Sequence, residues 1–297
     1  MFTIDNFMSG EVVQKIGWSL LHLIWQAAAV ALVLAAALRI LRRFSANMRY
    51  LASCMALLAI VALPFITMQF ITVHQPPTLV EDAPVIKMTT PPIEPAFEMS
   101  PVRQTEAVYI QPPPELEIEE RHLDWKERVV TFLEPKLSII VTLWLLGVFA
   151  LSIWHLGGYA QLQKLRKKMV KQVDSSLNDK LKMLAQKLGV TQAVQLLESA
   201  LVQIPTVVGW LKPVILLPAS ALTGLTTEQL EAILAHELAH IKRYDYLVNI
   251  LQTIVEIFGF YHPAVWWISH KIRCERENCC DDLAVAVCGD KIHYAKA

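Results

Sequence analysis

Three stretches of the chain are predominantly apolar over the length of a bilayer-crossing helix: 16–37 (IGWSLLHLIWQAAAVALVLAAA), 50–73 (YLASCMALLAIVALPFITMQFITV) and 137–160 (LSIIVTLWLLGVFALSIWHLGGYA). Each reaches the ~20 residues that a helix needs to span the hydrocarbon core. The first is too long for a secretory signal, lacks a basic start and leads directly into the second, so it reads as a transmembrane helix. His22 and Gln26 in the first run, and Pro64 in the second, read as helix-packing features.

Beyond 161 the pattern shortens. Leu177, Leu181, Leu184 and Leu188 recur at helical spacing over 176–188, and Gly189 ends that helix. The stretch 194–218 (VQLLESALVQIPTVVGWLKPVILLP) is β-branched and punctuated by Pro205, Gly209 and Pro213, which predicts short strands and a hairpin. Thr226 with Gln229 forms a capping box, opening a helix with apolar positions Leu230, Ile233, Leu234, Leu238 and Ile241.

The run 247–268 (LVNILQTIVEIFGFYHPAVWWI) is long enough to resemble a fourth span. It carries Asn249, Gln252, Glu256, His262 and the helix-breaking Pro263, all costly at mid-bilayer. Crossing here would also put everything after it on the far side from His236 and His240. The pattern therefore predicts a core helix and a turn leaning on the bilayer, followed by a helix that starts at Pro263 and runs to 288. The fold class is an α+β membrane protein: three transmembrane helices and a mainly α domain with a short β-sheet.

Charge orients these elements. Residues 39–49 hold four arginines and no acid, and 161–171 hold five lysines and arginines and no acid. By the positive-inside rule both face the cytoplasm. The expected order is an external N-terminus (1–15), a helix (16–37), a cytoplasmic basic loop (38–49) and a second helix (50–73). An external loop (74–136), a third helix (137–160) and a cytoplasmic domain (161–297) follow. The segment 74–127 carries 11 acidic against four basic residues and ten of the 16 prolines, a composition that builds no packed core. The basic run 164–171 reads as a topology anchor, with a lipid-responsive patch as the alternative.

Composition agrees with a membrane protein bearing a soluble part: 54% of residues are hydrophobic and 18% charged. Net charge is zero, which gives no electrostatic case for direct nucleic acid binding. The five cysteines, at 54, 274, 279, 280 and 288, contain no C-x-x-C pair and suit neither a secreted disulfide framework nor a usual zinc pattern.

The candidate chemistry starts at His236-Glu237-Leu238-Ala239-His240. Two histidines four apart share one helix face and can bind one zinc ion, while the intervening glutamate reaches the attacking water. Two unrelated histidines on a surface helix are the bland alternative. On the later helix His270, Arg273, Glu277 and Asp281 recur at three- and four-residue steps on one face, and Glu275 points away. Glu277 would complete a two-histidine, one-carboxylate site, and Asp281 a turn later would accept a ligating imidazole's free N–H. Arg273–Glu277 as an ordinary ion pair is the alternative. His270 and Arg273 are candidates for contact with the oxyanion or substrate by face alone.

Three segments together, HELAHIKRYD, IPTVVGWLKPVILLP and RCERENCCDD, resemble the BlaR/MecR-type membrane metallopeptidases, which are gluzincins. The family hairpin is matched by Pro205, Gly209, Pro213, Ile215, Leu217 and Pro218, and its R-E-x-x-C-D segment by Arg276, Glu277, Cys280 and Asp281. The resemblance implies His236, His240 and Glu277 as zinc ligands, Glu237 as catalytic base and Asp281 as the support behind a ligand. It also implies a bacterial inner-membrane protein of a signal-transduction system that cuts a cytoplasmic protein substrate, a winged-helix repressor. Membrane lipid is its other partner. Antibiotic-sensing members continue into a fourth span and an external sensor domain. This chain stops at HYAKA, so it is a fragment or answers a different input. Two other functions stay open: a housekeeping membrane metalloprotease of the HtpX/CAAX-protease kind, and a catalytically silent receptor.

Overall fold

The computed structural model describes residues 10–71, 124–165, 169–209 and 212–289. Two compact units result: Met1–Ile71 with Lys136–Ala297, and Thr72–Pro135. The Pro- and Glu-rich loop expected over 74–136 falls mostly outside the described residues, as do the closing HYAKA and positions 166–168 of the basic run.

Three helices are long and apolar enough to cross a membrane: Glu11–Arg43, Ala46–Phe70 and Arg128–Lys164. Within them α1 spans Glu11–Ile40 and α2 spans Ala46–Phe70; α3 (Trp125–Leu133) is followed by α4 (Leu137–Leu165). The helices α1 and α2 outrun the apolar stretches at one or both ends, because hydropathy marks the part that matches the hydrocarbon and not where backbone bonding stops. Polar side chains tie α1 to α2. Ser19 Oγ donates to the Pro64 carbonyl (3.1 Å), and Gln26 Nε2 donates to Thr67 Oγ1 (3.0 Å). Such bonds hold best where no water competes. Gly17 lets α4 approach: a Cβ there would sit 3.0 Å from the Leu137 side chain.

The sheet has strand order β1-β2-β4-β3, with β1 at Val170–Gln172, β2 at Gln195–Ser199, β3 at Thr206–Val208 and β4 at Val214–Pro218. The β2–β4 pair is parallel, with Leu197 opposite Leu216, and the two outer pairs are antiparallel. Every residue of β4 is buried, as a strand covered on both faces requires. Ile215 and Leu217 pack on α5 (Ser175–Leu188) and on Leu234, Leu238 and Ile241 of α7 (Thr227–Lys242), the short α6 (Ala219–Gly224) lying between β4 and α7. Val214 and Leu216 face the other way, toward Val208 and Leu162. The helix α5 ends at Gly189, which takes the left-handed conformation with φ 73°.

Helix α7 opens on the expected capping box: Thr226 Oγ1 accepts from the Gln229 N–H and Gln229 Oε1 accepts from the Thr226 N–H (2.9 Å). Helix α8 (Asp245–Phe258) and the 26-residue α9 (Pro263–Cys288) follow. Pro263 occupies the first turn of α9, and His262 caps it by accepting from the Ala264 N–H (3.0 Å). Val265, Ile268 and Ile272 of α9 join Leu23, Ala27, Leu57 and Ile60 of α1 and α2 in one core. The later turns of α9 carry Glu277 and pack on α7, so one helix joins the apolar bundle to the candidate site.

Candidate metal centre

Two helices meet at the site. On α7, His236 and His240 stand one turn apart, with ring centroids 4.9 Å apart and planes at 79°. From α9, Glu277 reaches between them. His236 Nε2 and His240 Nε2 are 3.2 Å apart, and Glu277 Oε2 lies 3.3 Å from the first and 3.5 Å from the second. A tetrahedral zinc ion with bonds near 2.05 Å separates its ligand atoms by about 3.3–3.4 Å. The donor set therefore fits such an ion by type and by spacing.

Both imidazoles are held from behind. His236 Nδ1 lies 3.0 Å from Asp281 Oδ1, and His240 Nδ1 lies 2.9 Å from Asp245 Oδ2. An Nδ1–H donated to a carboxylate leaves the Nε2 lone pair pointing at the shared centre and raises its basicity. Asp245 is the site residue that the sequence patterns did not single out. It sits at the start of α8, which Tyr244 separates from α7 by adopting the left-handed conformation (φ 56°). It closes the HELAHIKRYD segment, five residues after His240, but no helix-face rule spans a break between helices.

A second group of donors, His240, Asp245 and Cys280, also lies close together. Cys280 Sγ is 3.3 Å from His240 Nδ1, the side already facing Asp245. Burial pushes the Cys280 thiol up, and Asp245 already takes the Nδ1 side of His240. The Nε2 side is thus the better metal face.

Charge within the cluster follows the same geometry. Hydrogen bonds with His236 and His240 hold the Glu277 carboxyl well below the usual carboxylate range. The Glu277 contact raises His236. Burial works against a charge on His240, but Asp245 and the Cys280 thiol outweigh it and push the imidazole up to about 12. Glu237, on α7 between the histidines, is not exposed, and no hydrogen bond or ion pair engages its carboxylate among the described residues. Burial pushes that carboxyl up while the two imidazoles draw it back.

Arg273 and His270 are not brought to the converging atoms. Arg273 Nη1 pairs with Glu256 Oε1 on α8 (2.6 Å), and the exposed His270 lies 3.4 Å from Cys274 Sγ. They share the face of Glu277 but lie roughly 6 Å or more nearer the start of α9, at 1.5 Å per residue. Glu275 turns away to bind Arg49 of α2 (2.9 Å).

Apolar helices joined to this donor set define a membrane protein with a metallopeptidase-type centre. The chain belongs to the BlaR1 peptidase M56 family, whose model matches residues 18–297. It is 25% identical over 178 residues to the Regulatory protein BlaR1 of Bacillus licheniformis, covering 58% of this chain and 30% of that protein. It is 23% identical over 144 residues to the Methicillin resistance mecR1 protein of Staphylococcus aureus (strain Mu50 / ATCC 700699), covering 48% and 24%. The matched region thus spans a third or less of either relative.

Proposed function

We propose that the chain is a membrane-anchored zinc endopeptidase of a signal-transduction system, acting at the cytoplasmic face of a bacterial inner membrane. Its substrate is a cytoplasmic protein, a transcriptional repressor of the winged-helix kind. The observation that carries the reading is the convergence of His236 Nε2, His240 Nε2 and Glu277 Oε2 within ligand spacing, with Glu237 on the same helix between the two histidines. The family membership supports the peptidase class, and the relatives named for regulation and resistance support the signalling role. The arginines at 39–49 and the lysines and arginines at 161–171 support the orientation.

His236, His240 and Glu277 would hold the zinc, which supplies Lewis acidity for the scissile carbonyl and acidifies a water for attack. Glu237 takes the proton from the attacking water on its carboxylate and hands it to the leaving amine. Asp281 and Asp245 keep the two Nδ1–H groups in place, so neither imidazole turns away during that transfer. Among the described residues β3 is an edge strand, next to α7, with a side free for an extended substrate segment.

The test is Glu237→Gln in the full chain, with a candidate repressor co-expressed. The expected variant holds stoichiometric zinc and leaves the repressor intact while the unsubstituted chain cuts it. Continued cutting by the variant would remove Glu237 from its role. Absence of zinc from the purified unsubstituted protein would instead favour the silent receptor.

A further inference from the structure

Helices α8 and α9 form an antiparallel hairpin whose polarity is inverted. Inside it, Gln252 is 1% exposed and Glu256 8%. Gln252 Nε2 donates to Ser269 Oγ (2.8 Å), Ser269 Oγ donates to Glu256, and Arg273 pairs with the same carboxylate. On the outside, Leu247, Ile250, Ile254 and Phe258 are 54%, 54%, 47% and 51% exposed. They follow one another at three- and four-residue steps, so they make a single stripe down α8. A helix pair in water places these sets the other way round.

The hairpin's tip lies deep among the apolar helices. Trp144 Nε1 of α4 donates to the Phe258 carbonyl (2.9 Å), and Tyr261 OH donates to the Leu20 carbonyl of α1 (3.3 Å). The His262 ring meets the Ile24 carbonyl (2.8 Å), near the middle of α1. These contacts agree on one depth. Gly17 touches Leu137, and Ile24 and Trp144 each lie about 10 Å further along their helices from that contact, at 1.5 Å per residue. At its other end the hairpin is pinned where Arg49 meets Glu275, roughly 20 Å of helix from His262. Both arms therefore start at the Arg49 level: Arg243, just before α8, lies over the Tyr50 ring at 4.7 Å.

We infer that α8 and the first three turns of α9 form a re-entrant hairpin inserted among the spans, with the Leu247–Phe258 stripe against lipid acyl chains. It enters and leaves on one side of the bilayer, so it is not a fourth span. Its polar residues are tolerated because they bind one another in the hairpin's interior. The inference rests on the reading of α1, α2 and α4 as bilayer spans. It deepens the proposed function: His240, Glu277 and their partners then stand about one turn beyond the Arg49 level, at the membrane surface. The enzyme would meet its substrate there and not in open solvent.

Photocrosslinking in vesicles of phosphatidylethanolamine and phosphatidylglycerol tests this on the full chain. The probe p-benzoylphenylalanine replaces Phe258 or, in a second variant, Trp266. Phe149 on α4 serves as the span reference and Ile204, exposed near the sheet, as the solvent reference. Expected are lipid adducts at 258 and 266 matching those at 149, with none at 204. Adducts at 149 without any at 258 and 266 would overturn the hairpin and leave the spans standing. Crosslinks from 258 to a second copy of the chain in place of lipid would also overturn it. Absence of lipid adducts at 149 would overturn the spanning reading, and the hairpin with it.

Discussion

Asp245 Oδ2 lies 2.9 Å from His240 Nδ1, and Asp245 itself is 4% exposed at the first position of α8. On its other side Arg243 Nε is 3.4 Å from Asp245 Oδ1, and the Arg243 guanidinium covers the Tyr50 ring of α2. The imidazole proposed as a metal ligand is therefore oriented by a carboxylate that is held, in turn, by the helix bundle. Replacing Asp245 with Ala should lower zinc affinity by about 10–100-fold, the usual cost of losing such a partner. Chelator competition on the purified full chain measures it. Unchanged affinity would mean that His240 needs no support.

Glu277 and Glu275 sit two positions apart on α9 but have opposite commitments. On the proposed reading Glu277→Ala removes a ligand atom, and its zinc affinity should fall further than that of the Asp245 variant. Glu275→Ala breaks the Arg49 pair and should leave zinc binding unchanged. The same pair of variants tests linkage: a chelator should lower the unfolding temperature of the unsubstituted chain and of the Glu275 variant, but not that of Glu277→Ala, which has no bound metal to lose. A metal dependence lost with Glu275 and kept without Glu277 would reassign the ligand.

The Arg49–Glu275 ion pair is mostly buried, with side chains 20% and 13% exposed, and it bridges α2 to the helix that carries Glu277. Groups in contact in this way couple by about 0.5–3 kcal/mol in double-mutant cycles. Arg49→Ala and Glu275→Ala should each destabilise the chain, and the double variant should cost less than the sum. Strict additivity in thermal unfolding would show that the pair is not a working link.

Periodicity and spacing made much of this readable in advance. The three apolar runs gave the candidate spans, Thr226 with Gln229 gave the start of α7, and the recurrence through Glu277 and Asp281 picked out the face of α9 that meets His236. Two things were hidden for physical reasons. Helical periodicity specifies a face and a relative height but not what packs opposite each turn, so His270 and Arg273 share the face of Glu277 while Arg273 meets Glu256 of α8. The mixed polarity of 247–268 argued against a span, yet the partners of Gln252 and Glu256 are Ser269 and Arg273 on the next helix. Only a hairpin fold reveals that these polar groups satisfy each other, and that what remains outside is apolar.

Gly147 offers a direct handle on that hairpin. It lies on α4, and a Cβ built on it would run into the ring of Phe260 at the hairpin's tip. Ring atoms of a wedged aromatic cannot give way as a flexible chain end would, so Gly147→Ala must move either the helix or the tip. Overpacking of this kind costs about 1–3 kcal/mol. Phe260→Ala alone should also destabilise, by leaving a cavity where the ring was. Together the two should recover part of the loss, because the added methyl occupies space that the ring vacates. Unfolding temperatures of the three variants in detergent measure the balance. If Gly147→Ala is as stable as the unsubstituted chain, the tip does not press on α4 and its depth has been read too tightly. A loss relieved by Phe260→Ala would place the two residues in contact and hold the hairpin at the level of Trp144.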